Sequence, residues 1–144
     1  MLCIEKVSKE HLSSIAQIEA LCFSQPWSEE SLEFLLGDQA TALVAITDGQ
    51  VVGYVGMTHV LDEGQITNLA VHPDARRRGV GITLMRELEI LARKLGIAFL
   101  SLEVRASNTA ARTLYASCSW RDAGVRKNFY KLPTEDAVIM TKTL

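Results

Sequence analysis

Apolar residues recur along the chain at two spacings, and the switches between them mark out its elements. A short β-compatible opening at residues 2 to 7 ends at Ser8, which is suited to cap a helix; Leu12, Ile15, Ile18, Leu21 and Cys22 then return near helical spacing. Pro26 closes that helix. A second is predicted from Ser28, with Glu29 and Glu30 at its positive end, Gly37 as its stop and Leu32, Leu35 and Leu36 as its buried face. β-rich runs follow at Thr41 to Ile46 and Val51 to His59, and the Asp48-Gly49 pair between them signals a tight hairpin. Asp62-Glu63-Gly64 predicts the next turn and Gln65 to Val71 a third strand, so the first half reads as an antiparallel meander.

The helical period returns after Gly81 with Leu84, Met85, Leu88, Leu91, Ala92 and Leu95, and ends at Gly96 with Arg93 and Lys94 in the last turn. Ile97 to Val104 reads as a strand buried on both faces. Strand, helix, strand implies a right-handed crossover and parallel pairing at the sheet centre. Asn108 caps a last helix with Ala110, Ala111, Leu114, Tyr115 and Cys118 turned inward, and two β-compatible runs, Arg121 to Tyr130 and Asp136 to Leu144, follow. The order predicts an α/β protein: one mixed sheet flanked by helices, in a single domain over residues 1–144.

Composition narrows the class without naming a ligand. The chain is 48% hydrophobic and 22% charged, as in a folded globular protein, and 15 basic against 17 acidic side chains leave a formal charge of -2. That balance makes no general case for nucleic-acid binding. Cys3, Cys22 and Cys118 are odd in number, widely spaced and without a C-x-x-C pair, and His11, His59 and His72 show no H-x-x-x-H spacing. Neither a disulfide framework nor a metal site is expected, and a reducing compartment is. Glu5, Lys6, Lys9 and Glu10 interrupt any signal-peptide core, and no apolar run approaches the ~20 residues of a membrane span. The expectation is a soluble, cytoplasmic protein.

The chemistry concentrates between Asn68 and Leu84. An apolar strand end breaks at Pro73, passes Arg76-Arg77-Arg78 and enters the long helix through Gly79-Val80-Gly81. Glycines there let a ligand approach the backbone, and the first amides of a helix lack internal partners, so the junction reads as a phosphate cradle. A dinucleotide fingerprint fails at Leu84, where its third glycine belongs, and no Gly-Lys-Ser/Thr of a P-loop occurs. Read as residues alone, Glu103 at a strand end fits a salt-bridge partner or a base. Tyr115 fits core packing, Asn108 a plain helix cap, and Trp27 core filler or a ligand contact.

The larger pattern is more specific. Leu69-Ala70-Val71-His72-Pro73, then Arg76-Arg77-Arg78-Gly79-Val80-Gly81, then a Leu-rich helix, resembles the acetyl-CoA signature of the GNAT N-acetyltransferases, Gln/Arg-x-x-Gly-x-Gly/Ala. Leu102-Glu103-Val104-Arg105-Ala106-Ser107-Asn108 with Leu114-Tyr115, Pro26-Trp27-Ser28 and Asn128-Phe129-Tyr130 resembles the branch that acetylates ribosomal-protein alanine. One departure stands out: the family's Leu-Gly-Phe turn is Cys118-Ser119-Trp120 here, so Ser119 must take a left-handed conformation or reshape the turn.

The resemblance implies a fold and a set of roles. Amides and side chains from Arg76, Arg77, Arg78, Gly79, Val80, Gly81 and Ile82 would hold the pyrophosphate of acetyl-CoA, and a side chain at Gly79 or Gly81 would push it away. Leu69, Ala70 and Val71, at a bulged strand end, would pair with the pantetheine arm and polarise the thioester, and Asn108 would contact the same arm. Glu103 would be the general base and Tyr115 the general acid. Trp27, Glu33 and Tyr130 would line the acceptor side, where Glu29, Glu30, Glu33, Asp62 and Glu63 favour a basic peptide. An α-amine is about a tenth neutral at pH 7 and a lysine only about 0.04%, so an N-terminal amine is the easier nucleophile. The implied activity is direct acetylation of the N-terminal alanine of a small-subunit ribosomal protein. It would need no metal and no membrane or nucleic-acid partner, and the enzyme would be a monomer or weak dimer. Another amine acceptor, a catalytically silent acyl-CoA sensor and a dinucleotide module are the rivals.

Overall fold

The computed structural model describes residues 1–144. Its elements run β1 (Leu2–Lys6), α1 (Leu12–Cys22), a 3₁₀ segment Ser31–Leu36, β2 (Ala40–Thr47), β3 (Gln50–Val60), β4 (Glu63–Val71), α2 (Val80–Lys94), β5 (Phe99–Arg105), α3 (Thr109–Ser117), β6 (Arg121–Tyr130) and β7 (Glu135–Thr143). The seven strands form one mixed sheet in the order β1-β2-β3-β4-β5-β7-β6. The predicted hairpin closes with Thr47 opposite Gln50, and Asp48 and Gly49 both at positive φ, 52° and 77°. β4 and β5 are the one parallel pair, as the strand–helix–strand order requires.

Helices cover both faces. α2 lays Leu84, Met85 and Leu88 on one face against Leu100, Leu102 and Met140. Each such side chain contributes roughly 1.5–3 kcal/mol on burial. On the other face α1 and the 3₁₀ segment bury Leu12, Ile15, Ile18, Leu32 and Leu35 over β2 to β4. No helix is long and apolar enough to cross a membrane.

Several local expectations are revised. The segment after Ser28 is 3₁₀ rather than α, and only Leu32 and Leu35 turn inward, at the spacing where 3₁₀ side chains eclipse; Leu36 is 42% exposed. Leu21 is exposed on α1, and its place in the interior is taken by Glu19. The β3–β4 turn is Leu61-Asp62, with Val60 opposite Glu63, so Gly64 lies inside the strand. β5 alternates rather than burying both faces, because only the face toward α2 and α3 is covered. Ala110 points to solvent. Ser119 does adopt the left-handed conformation, φ 71°, that its position in the turn demands.

Candidate active site

The sheet opens where the parallel pair stops. β4 and β5 share only Glu63–Phe99, Gly64–Leu100 and Gln65–Ser101, and then diverge into a wedge. The reason lies in β4: its register against β3 jumps from Met57–Ile66 to Gly56–Asn68, leaving Thr67 as an extra residue. The bulge therefore sits at Thr67, not at Leu69-Ala70-Val71, and it re-aims everything after it. His72 N–H bonds back to Val52 O at 2.7 Å. Strand alternation then turns the N–H groups of Leu69 and Val71 the other way, into the wedge. Ala70 faces α1 and is buried there.

At the wide end of the wedge lies the arginine–glycine junction. No main-chain N–H from Arg77 to Ile82 has a main-chain acceptor; Thr83 makes the first bond back, 3.0 Å to Gly79 O. This unpaired set, at the head of a 15-residue helix, suits a phosphate-bearing ligand. The two glycines serve different ends. Gly79 takes φ 78° with open space around it, whereas a Cβ on Gly81 would meet Leu114 Cδ1 at 2.9 Å. Gly81 thus lies where α2 packs on α3, and a Cβ there would have to displace the end of the Leu114 side chain. Arg76 also departs from expectation: Nε donates to Val71 O at 3.2 Å and Nη2 to Cys22 Sγ at 3.3 Å, clamping the strand end to α1. Arg77 and Arg78 are exposed, with Arg77 at φ 66°.

The narrow end of the wedge is a cleft of about 290 Å³ whose lining includes Trp27, Asn68, Glu103, Asn108, Tyr115 and Tyr130. Glu103 comes from β5, on the face no helix covers, and its side chain is 15% exposed. Gln65 Nε2 donates to Oε1 at 3.0 Å, and Arg126 Nε lies 3.2 Å from Oε2 out of hydrogen-bond line, leaving that oxygen without a bonded partner. Tyr115 is presented by α3, which Asn108 caps through Oδ1 and the Ala111 N–H at 3.1 Å. Burial, and secondarily the neighbouring Tyr130 phenol, push the Tyr115 phenol well above its ordinary value, so it holds its proton at neutral pH. Tyr130 is pushed up to about 12 by burial and then by Glu103, while Arg105, 4.6 Å over its ring, pulls the other way.

Of the acceptor-side expectations, Trp27 and Tyr130 reach the cleft and Glu33 does not. The 3₁₀ segment is pinned by Leu32 and Leu35, which leaves Glu33 on its solvent side. Two residues were missed. Arg105 organises the β6–β7 loop through Lys131 O (2.6 Å), Pro133 O (2.9 Å) and Glu135 (3.2 Å). Glu19 is fully buried beneath the cleft; the signal for it was a charge set in the apolar stripe, four residues after Ile15.

Comparison with known proteins agrees with this geometry. The profile described as the acetyltransferase (GNAT) family matches residues 12–120. The [ribosomal protein bS18]-alanine N-acetyltransferase of Escherichia coli K12 is 36% identical, over 97% of this chain and 96% of its own. The Salmonella typhimurium protein of the same name is 38% identical over the same shares. The crystal structure of the ribosomal-protein-S18-alanine N-acetyltransferase from Escherichia coli superposes with a TM-score of 0.93 at 34% identity, covering 99% of this chain and 94% of that one. An amide-lined wedge, an anion-seeking helix start and a matching profile over most of the length lead to one assignment: the chain belongs to the GNAT acetyltransferase family.

Proposed function

We propose that this protein transfers the acetyl group of acetyl-CoA to the α-amine of an N-terminal alanine on a small-subunit ribosomal protein, the bS18 for which its relatives are named. The observation that carries the proposal is the near full-length similarity to those relatives, joined to a cleft that holds a carboxylate and a protonated phenol at the narrow end of the wedge. When bound, acetyl-CoA supplies the activated acetyl group. The unpaired amides from Arg77 to Ile82, with Arg77 and Arg78, fit its diphosphate, and the Leu69 and Val71 amides fit its amide-bearing arm and thioester oxygen.

Glu103, whose side chain keeps 15% of its surface exposed in the cleft, takes the proton that the amine must lose, directly or by way of one water. Arg126 sits beside the same carboxylate, its Nε 3.2 Å from Oε2. Tyr115 Oη gives a proton to the departing sulfur; burial keeps that proton in place until it is needed. Trp27 and Tyr130 wall the acceptor side.

The test is mass spectrometry of ribosomal-protein N-termini with and without the enzyme, alongside rates on an Ala-initiated peptide, spermidine and free lysine. A mass gain of one acetyl group on the alanine terminus, with the peptide preferred, is the expected result. Preference for spermidine or lysine would overturn the acceptor assignment.

A further inference from the structure

Glu19 sits in α1 with no exposed surface, and no cation neutralises it. Burying a carboxylate is costly unless it is well bonded, and leucine would extend the stripe of Leu12, Ile15 and Ile18 at less expense. Its three partners are all donors and come from three separate segments. Trp27 N–H reaches Oε1 at 3.0 Å from the loop after α1. Tyr54 Oη donates to Oε2 at 2.6 Å from β3, and Asn68 Nδ2 at 2.8 Å from the bulged part of β4. Two of these segments, those of Trp27 and Asn68, line the cleft.

A carboxylate only accepts, so Asn68 must turn its NH₂ toward Glu19. Its Oδ1 is then left without a protein partner, on a residue of the cleft wall. An amide oxygen in that place suits the N–H of an incoming amine, and the other carboxylate oxygen fixes the main chain of Trp27, a second lining residue. Resting on the acetyltransferase reading above, we propose that Glu19 is a positioning residue for acceptor binding, orienting Asn68 so that Oδ1 receives the amine and anchoring the loop that carries Trp27.

The test has an arm that needs no turnover. In hydrogen exchange on the unaltered protein, the Trp27 amide is expected to exchange at least about tenfold more slowly than those of Gln25 and Ser28, which have no main-chain acceptor. Exchange as fast as these neighbours overturns the proposal. In Glu19→Gln the new NH₂ group competes with donors, which drives Asn68 to flip; Asn68→Ala removes the oxygen while leaving Glu19 two donors, and serves alone if the first variant does not fold. Both are expected to raise KM for an Ala-initiated peptide about tenfold or more, the effect of losing a hydrogen bond to a charged group, with KM for acetyl-CoA within about twofold. Unchanged acceptor KM, or both constants rising together as in general loosening, overturns it. If the unaltered protein acetylates no α-amine at all, the activity reading fails by itself, and Trp27 exchange still decides the role of Glu19.

Discussion

Two alanine substitutions, two residues apart, separate the jobs of the glycines at the head of α2. In Gly79→Ala the new methyl meets nothing within 4 Å, so the whole effect is conformational. A side chain at φ 78° costs roughly 1–2 kcal/mol, and part of this is offset by the stiffer unfolded chain. The net loss is about 1 kcal/mol, a fall in Tm of about 3 °C for a chain of this length. Relief of the strain rotates the amides proposed to hold the diphosphate, so acetyl-CoA affinity is expected to fall as well. Gly81→Ala behaves otherwise. It gains up to about 0.5 kcal/mol of helix propensity near a helix start, and displaces Leu114 Cδ1, a mobile methyl 2.9 Å from the new Cβ. Stability and acetyl-CoA affinity stay near their starting values. Turnover stays near its starting value too, because a displaced Leu114 methyl leaves α3, and with it Tyr115, in place. Urea denaturation, calorimetric titration of acetyl-CoA and steady-state kinetics read the three quantities. Should Gly81→Ala lose affinity while keeping kcat, or Gly79→Ala match the parent in both stability and affinity, the division of labour drawn from the structure is wrong.

Other expectations can be checked alongside. Glu103→Gln and Tyr115→Phe should each lower kcat by about 10²- to 10⁴-fold with acetyl-CoA binding nearly unchanged; full rate in both would remove the acid–base assignment. All three tyrosines, Tyr54, Tyr115 and Tyr130, have phenols raised above their ordinary value, burial being the largest cause in each. The folded protein should therefore show almost no tyrosinate absorbance at pH 10, where the denatured chain is about half ionised. By linkage the stability these phenols contribute is intact below about pH 10 and is lost as pH rises through the folded values, about 12 for Tyr130, so alkaline unfolding should begin near pH 10. A native titration centred at pH 10 would contradict this. Glu89 of α2 pairs with Lys142 of β7, both largely buried, and Lys142 also donates to Cys118 O at 2.6 Å. Glu89→Ala leaves that ammonium uncompensated and should cost about 3–5 kcal/mol in denaturant unfolding, and a cost under about 1 kcal/mol would refute the pairing's role.

The elements with strong local chemistry were legible in the chain itself. Asp48-Gly49 fixes a turn whose twist suits two flanking strands, Asn108 satisfies a free amide at the start of α3, and Gly96 ends α2 at φ 81°. The wedge was not legible in the same way. It arises from one surplus residue, Thr67, whose effect depends on where β3 and β5 lie, and no local preference marks it. The contact between Gly81 and Leu114, 33 positions on, was likewise invisible to its neighbours in sequence. Glu33 was expected on the acceptor side; in the 3₁₀ segment Leu32 and Leu35 take the buried positions and leave it exposed. Glu19 carried a signal, a charge in an apolar stripe, whose meaning required knowing which donors surround it.

The three-rung contact between β4 and β5 means that the chain leaves its own sheet unfinished. On the proposed reading, an amide-bearing arm lying against the free edge past Gln65 would take the place of the missing rungs and tie the β5-β7-β6 half to the β1-to-β4 half. Occupancy and rigidity become one variable: at a hundredfold excess over Kd, binding adds about 2.7 kcal/mol to the folded state. On the proposed reading, the coenzyme would thereby stiffen β5, the strand that carries Glu103, on arrival.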